Sequence, residues 1–237
     1  MRLHRRLRAA GCGLAALGLL AGCSGPESEP EPESSATQGR KFVSVARLCP
    51  GLFGAEGGKA LERFLESTEF EIRDEKKNVG VQAVVKALEN GYKAGKGIRD
   101  MPDQICQVSG RPKDGYYRSA DLWVDGYSKH VGDPEEFPSL KDRGPRASSS
   151  GKQVHLSYDC VSSRAGSTAD VPLRIRLMLR EQWDGSMGAA VLGPDYLAAV
   201  HSAALSIAKE LGCAGNGGLP GRPDALPAPD PAAKDGS

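Results

Sequence analysis

The chain lacks an apolar run long enough to cross a bilayer. Its most apolar N-terminal stretch, residues 9–22, has 14 residues, and a spanning helix needs about 20. Histidine is rare, with four in 237 residues, and no two cysteines stand as a C-x-x-C pair. That spacing argues against the usual zinc motifs and against a redox dithiol. Aromatic residues make up 5% of the chain, and no basic run is interleaved with them. With 31 basic and 30 acidic residues, the chain has no electrostatic footprint for nucleic acid and no polybasic clamp for anionic lipid. No repeat at solenoid spacing is visible. No metal or cofactor is therefore expected, and nucleic acid is not an expected partner.

What is present begins at the N-terminus. Residues 1–8 carry four arginines, residues 9–22 are uncharged and apolar, and Leu20-Ala21-Gly22-Cys23 follows. A basic start and an apolar run of this length are the marks of a signal peptide, here residues 1–22. Leu20-Ala21-Gly22-Cys23 resembles the lipobox of bacterial lipoproteins. The resemblance implies cleavage before Cys23 and a diacylglyceryl group on its thiol, hence a lipid-anchored protein on the outer face of the cell membrane. Two acyl chains hold a protein stably where one is marginal. Residues 23–40 then form an acidic tether: it has four glutamates and no Leu, Ile, Val or aromatic residue. Such a segment buries too little to offset chain entropy and is expected to be disordered. Residues 216–237, rich in proline and glycine, are expected to be a disordered tail. Loss of the signal would leave 27 basic against 30 acidic residues.

Four cysteines remain in the body of the domain: Cys49, Cys106, Cys160 and Cys213. An even number in an exported chain reads as two disulfides, with three pairings open. Cys49–Cys106 with Cys160–Cys213 is favoured. The separations are then nearly equal, and each bridge ties a helix end to a strand.

The residues between 41 and 215 suffice for one domain with a real core. Helical spacing of apolar residues predicts helices over 55–66, over 78–92 and from Pro194, with Gly212 near the last helix's end. Alternation predicts short strands at Phe70–Ile72 and 105–108, and longer ones over 116–127, 154–160 and 171–180. Gly188 to Leu192 reads as a further strand, and residues 141–152 as a mobile loop. One wet sheet face, with helices on the other, makes a single α+β domain with a mainly antiparallel sheet.

A second resemblance lies in Cys49-Pro50-Gly51-Leu52-Phe53 before Ala60-Leu61-Glu62. It continues in Ala208-Lys209-Glu210-Leu211-Gly212-Cys213 before Leu219-Pro220. These segments resemble small lipoproteins of GC-rich Gram-positive actinobacteria. The resemblance implies the same address and cysteine framework, and it assigns no catalytic residue.

Candidate chemistry fails on geometry. Gly57-Gly58-Lys59 lacks the earlier glycine and the following hydroxyl of a phosphate loop. Ser149-x-x-Lys152 lies in a serine-rich loop, not at a buried helix start. His155, Ser157 and Asp159 share one strand face, but neighbours at i and i+2 are roughly 6.5–7 Å apart, too far for a triad. His201 reads as a packed histidine. His130, Asp133, Glu135 and Glu136 fit no zinc or calcium spacing. The chain is therefore not read as an enzyme.

One strand remains of interest. In residues 116–127, Ala120, Leu122 and Val124 share one face, and Tyr117, Asp121, Trp123, Asp125 and Tyr127 share the other. With the aliphatic face in the core, the aromatics and carboxylates are expected outside, as a contact surface for a protein or glycan partner. The competing expectation is cross-strand packing, with Asp121 or Asp125 opposite Arg174, Arg176 or Arg180. The sequence thus reads as a lipid-anchored extracytoplasmic binding or interaction module. A structural envelope component and an extracellular enzyme acting on cell-wall material are the alternatives.

Overall fold

A computed structural model describes residues 40–95, 105–111, 118–127, 144–150, 152–183 and 193–227. Among them the chain forms three helices and one sheet. The strands are β1 (Phe42–Val43), β2 (Phe70–Glu71), β3 (Cys106–Gly110), β4 (Arg118–Tyr127), β5 (Arg146–Ser150), β6 (Gln153–Cys160) and β7 (Leu173–Trp183). The helices are α1 (Ala55–Phe64), α2 (Val81–Lys93) and α3 (Pro194–Leu211). The strands lie in the order β1-β2-β3-β4-β7-β6-β5, and every pair is antiparallel. The α+β class, the antiparallel sheet and both disulfide pairings agree with the sequence reading.

β7 is the spine of the sheet because its alternation is the cleanest. Leu173, Ile175, Leu177 and Leu179 are buried, and Arg174, Arg176 and Met178 are half-buried on the other face. β4 pairs with β7 from Arg118↔Trp183 to Tyr127↔Arg174, so Leu122 and Val124 meet Leu179 and Leu177. β6 adds Val154, Leu156, Tyr158 and Cys160 to the same inner face. The helices cover that face. α3 begins at Pro194 and ends at Gly212, whose φ of +70° closes the helix with a left-handed residue, the conformation glycine adopts without penalty.

α1 reaches α3 through a glycine. A Cβ added at Gly57 would stand 2.3 Å from Cβ of Ser202 and 3.7 Å from the Ala199 carbonyl. The backbone N–H of Gly54, just before α1, donates to Ser202 Oγ at 2.9 Å. Arg63 on α1 pairs with Asp195 on α3 at 2.6 Å. Gly57→Ala should therefore force the helices apart, at a cost of about 1–3 kcal/mol. Better helix propensity returns only about 1 kcal/mol of it. Urea denaturation checks this, and a variant as stable as the wild type would contradict the close approach.

The cysteine bridges join distant parts of the chain. Cys160, the last residue of β6, bonds Cys213, just past α3, with Cα atoms 5.0 Å apart. This ties a helix end to a strand, as expected. Cys106 opens β3, but its partner Cys49 lies in the turn before α1 and not at a helix end. Asn78 anchors that turn, accepting from the backbone N–H of Cys49 through Oδ1. The same residue bridges to Cys106. Residues 78–80 are therefore held outside α2, which starts at Val81 and not at 78.

Two further expectations are corrected. Residues 141–152 do not form a loop throughout: Arg146–Ser150 is strand β5, paired with β6. Ala147, opposite Leu156, is buried, and the backbone ladder supplies what the small side chains do not. The segment from 216 is not a free tail over its described part. Short 3-10 turns at Ala214–Gly218 and Pro223–Ala225 fold back, and Leu219 and Leu226 enter the core. Two leucines suffice to dock a segment whose average composition is polar and proline-rich. Residues 228–237 and the strand expected at Gly188 to Leu192 lie outside the described residues, as do Cys23, the signal and the residues of the tether before Arg40.

Candidate functional site

The sheet face away from the helices carries the residues of interest, and strand register sorts them into rows. Glu71, Ser109, Ser119 and Gln182 form the first row across β2, β3, β4 and β7. Gln107, Asp121, Arg180 and Gln153 form the next. Trp123, Met178, His155 and Ser148 form the third. Asp125, Arg176, Ser157 and Arg146 form the fourth. Tyr127, Arg174 and Asp159 close the series. A stripe centred on Trp123 and Met178 thus runs across the strands between two rows that carry charge.

The structure divides the expected contact surface. Trp123 and Asp125 are half-buried, so both present part of their surface. Asp121 is 0% exposed and Tyr127 only 4%, which corrects their placement outside. Tyr117 lies outside the described residues. Cross-strand charge pairing holds as well: Asp121 stands opposite Arg180 and Asp125 opposite Arg176.

Electrostatics explains why the carboxylates tolerate these positions. Arg176 Nη2 donates to Asp125 Oδ2 at 2.7 Å and to Tyr127 Oη at 3.3 Å. Its guanidinium stands 5.8 Å from the centre of the Tyr127 ring, within cation–π range. Arg174 pairs with Asp159 at 3.2 Å. Gln182 donates through Nε2 to Asp121 Oδ2. Burial pushes the Asp121 carboxyl above the usual carboxylate range, against the hydrogen bond from Gln107 and the positive charges of Lys77, Arg180 and Arg73. Asp121 therefore organises the floor of the sheet and does not face a partner.

The remaining candidates find structural places. His155 faces Met178 and Ser148 across the strands, and Asp159 is held by Arg174, so no triad assembles from His155, Ser157 and Asp159. Ser149 is exposed on β5, and the carbonyl of Lys152 accepts from Glu181 N at 2.9 Å. His130, Asp133, Glu135 and Glu136 lie outside the described residues. Among the described residues no group of three or more His, Cys, Asp or Glu side chains is arranged to hold a metal. No described helix is long and apolar enough to cross a membrane.

Sequence reasoning missed one polar position on the inner face. Glu181, opposite Ala120, is buried at the end of the sheet. It hydrogen-bonds Tyr196, whose phenol is pushed up mainly by burial and then by Glu181. The Tyr196 ring stacks on Phe64 at 4.3 Å. This group seals the junction of α1, α3 and the sheet. The sequence signal was there: Glu181 continues the inward alternation of Leu177 and Leu179.

His201 on α3 is 2% exposed, and its Nε2 lies 2.9 Å from the Pro220 carbonyl. Burial lowers its pKa, opposed by that hydrogen bond. A neutral ring donating to Pro220 pins the C-terminal segment to α3. Because the folded pKa is depressed, the unfolded chain binds the proton more readily. The stabilisation is then complete above about pH 6.5, the free imidazole value, and is lost as pH falls through the folded pKa. Thermal melts of wild type and His201→Gln between pH 8 and 4.5 check this. The wild type should lose more stability on acidification than the variant, and parallel pH profiles would contradict it.

Comparison of the chain with protein-family models, with curated proteins and with solved structures gives no match.

Proposed function

We propose that this chain is a lipid-anchored extracytoplasmic binding or interaction module whose contact surface is the outer sheet face. The observation that carries the reading is the Trp123 and Met178 stripe. It is half-buried, lies on a face opposite the helical layer, and is flanked by charged rows. Aromatic, Met and Arg side chains together are the composition of interface centres. The cysteine framework supports an extracytoplasmic address, because paired cysteines persist in oxidising compartments. The sequence up to Cys23 supports the lipid anchor. The proposed action is binding: Asp159 is held by Arg174, and register keeps His155, Ser157 and Asp159 at separate rows of β6.

Mass spectrometry of full-length protein recovered from membranes tests the address. The mature chain should begin at an acylated Cys23, and Cys23→Ala should leave an uncleaved or unlipidated form. A different N-terminus, or a Cys23 without lipid, overturns it. Photo-crosslinking from position 148 in intact cells tests the surface. A crosslinked species that disappears in Trp123→Ala, while the variant stays folded, supports the outer face. Crosslinks unaffected by every outer-face substitution refute it.

A further inference from the structure

The turn at Cys49 does not hold its own shape. Cys49 is buried, and its φ of +47° lies in the left-handed region, which sterics disfavour for a residue with a Cβ. Residues 78–81, at the start of α2, supply the restraint. The Cys49 N–H donates to Asn78 Oδ1, and Val81 N donates to the Pro50 carbonyl at 2.9 Å. The same short segment runs beside β3. Asn78 stands opposite Cys106 in an antiparallel bridge, and Val79 N donates to the Ile105 carbonyl at 3.0 Å. Asn78 therefore meets Cys49 through its side chain and Cys106 through its backbone. None of these bonds uses a sulfur atom, so each can form in the reduced chain.

Chain length alone does not choose the partner of Cys106. It stands almost as far from Cys160 as from Cys49 along the sequence, and loop-closure entropy varies only with the logarithm of loop length. Four cysteines allow three pairings. The bridge Cys160–Cys213 has a framework of its own. Ser162 Oγ donates to the Leu211 carbonyl, and Ala214 N donates to the Val161 carbonyl. These bonds bring the end of β6 to the end of α3. Cys49 lies between elements, and its backbone N–H is held by a side chain, that of Asn78, in place of a ladder.

We propose that Asn78 is the positioning residue for oxidative folding. It seats the Cys49 turn at the head of β3 before any disulfide forms, and so directs Cys106 to Cys49 and away from Cys160. The chemistry is thiol–disulfide exchange with an external disulfide such as oxidised glutathione. One cysteine thiol loses its proton and attacks the oxidant, which releases one glutathione thiolate. The other cysteine, also deprotonated, attacks the mixed disulfide, closes Cys49–Cys106 and releases the second glutathione. Two electrons pass to the oxidant, and the two protons lost by the cysteines go to the released thiolates. Asn78 exchanges no electrons; it sets which thiolate stands beside the mixed disulfide. The inference is independent of the outer face and its partner.

Refolding of the full-length chain from the reduced, unfolded state tests this, in detergent micelles with a glutathione redox buffer. Free thiols are alkylated at intervals, and non-reducing digestion follows the cross-links among Cys49, Cys106, Cys160 and Cys213. The wild type should form Cys49–Cys106 and Cys160–Cys213 with little Cys106–Cys160. Asn78→Ala should slow closure of Cys49–Cys106 by about fivefold, the worth of one hydrogen bond. It should also raise Cys106–Cys160 and leave the rate of Cys160–Cys213 unchanged. Asn78→Asp keeps an acceptor oxygen and should restore most of the native pairing. Gly57→Ala, destabilised away from the bridge, should pair its cysteines as the wild type does. Wild-type rates and pairing in Asn78→Ala overturn the inference, as does a wild type that passes mainly through Cys106–Cys160. Equal mispairing in Gly57→Ala overturns it too. So does equal slowing of Cys160–Cys213 in Asn78→Ala, including through failure to fold, since either result would show lost stability and not lost direction. Asn78→Asp that mispairs as Asn78→Ala does removes the acceptor's role, and the inference with it.

Discussion

Replacing Cys160 and Cys213 together by alanine should cost the domain about 2–5 kcal/mol. The bridge closes a loop of 53 residues, for which chain entropy alone gives about 4 kcal/mol. That loop contains β7, the strand between β4 and β6, and α3, the longest described helix. Local structure adds to the constraint. Ser162 Oγ donates to the Leu211 carbonyl at 2.6 Å, and Ala214 N donates to the Val161 carbonyl at 2.8 Å. These bonds hold the end of α3 against the end of β6 in the folded state, and the covalent link acts mainly by restricting the unfolded one. Removing the link should therefore lower the denaturation midpoint while leaving the spectrum of the folded protein nearly unchanged. The denaturant slope should rise, because the unlinked chain exposes more surface. A loss below about 1 kcal/mol would show that the hydrogen bonds carry the junction by themselves.

The outer face and the cysteine framework differ in how far sequence could reach them. The cysteine pairing was legible in part because three of the four cysteines stand at element ends, Cys106 opening β3, Cys160 closing β6 and Cys213 just past α3, where Gly212 marks the helix end. The inner face was legible for a similar reason. Leu173 to Leu179 on β7 and Leu197 to Leu211 on α3 repeat at the periods that burial demands. Strand β5 was not, because Arg146-Ala147-Ser148-Ser149-Ser150 has one apolar residue and is drawn into the sheet by pairing with β6. The docking of Leu219 and Leu226 was hidden in the same way, since two leucines in a proline-rich stretch give no period to read. Asp121 was misplaced because alternation assigns a side chain to a face but not to depth on that face. Its burial depends on neighbours from other strands, Gln107 and Gln182 among them. The stripe of Trp123, Met178 and His155 comes from three strands far apart in the chain. Only register brings it together.

That register makes Leu122 and Trp123 neighbours with opposite fates. Leu122 is 0% exposed and meets Cys106 on one side and Leu179 on the other. Leu122→Ala removes a side chain from the middle of a closed core, and the strands on both sides are held by ladders that limit collapse. The expected loss is about 2–5 kcal/mol. Trp123 points to the other face, half-buried beside Met178. Trp123→Ala opens no internal cavity there and should cost about 1 kcal/mol, the area it keeps from water on Met178 and its flanks. Urea denaturation of the two variants side by side separates the faces without any ligand. The two losses should differ by at least about twofold, with Leu122→Ala the larger. If Trp123→Ala costs as much as Leu122→Ala, the indole is core, and the stripe it anchors is packing and not a contact surface. If Leu122→Ala is nearly neutral, β4 turns its other side to the helices, and the rows of the outer face belong to the interior.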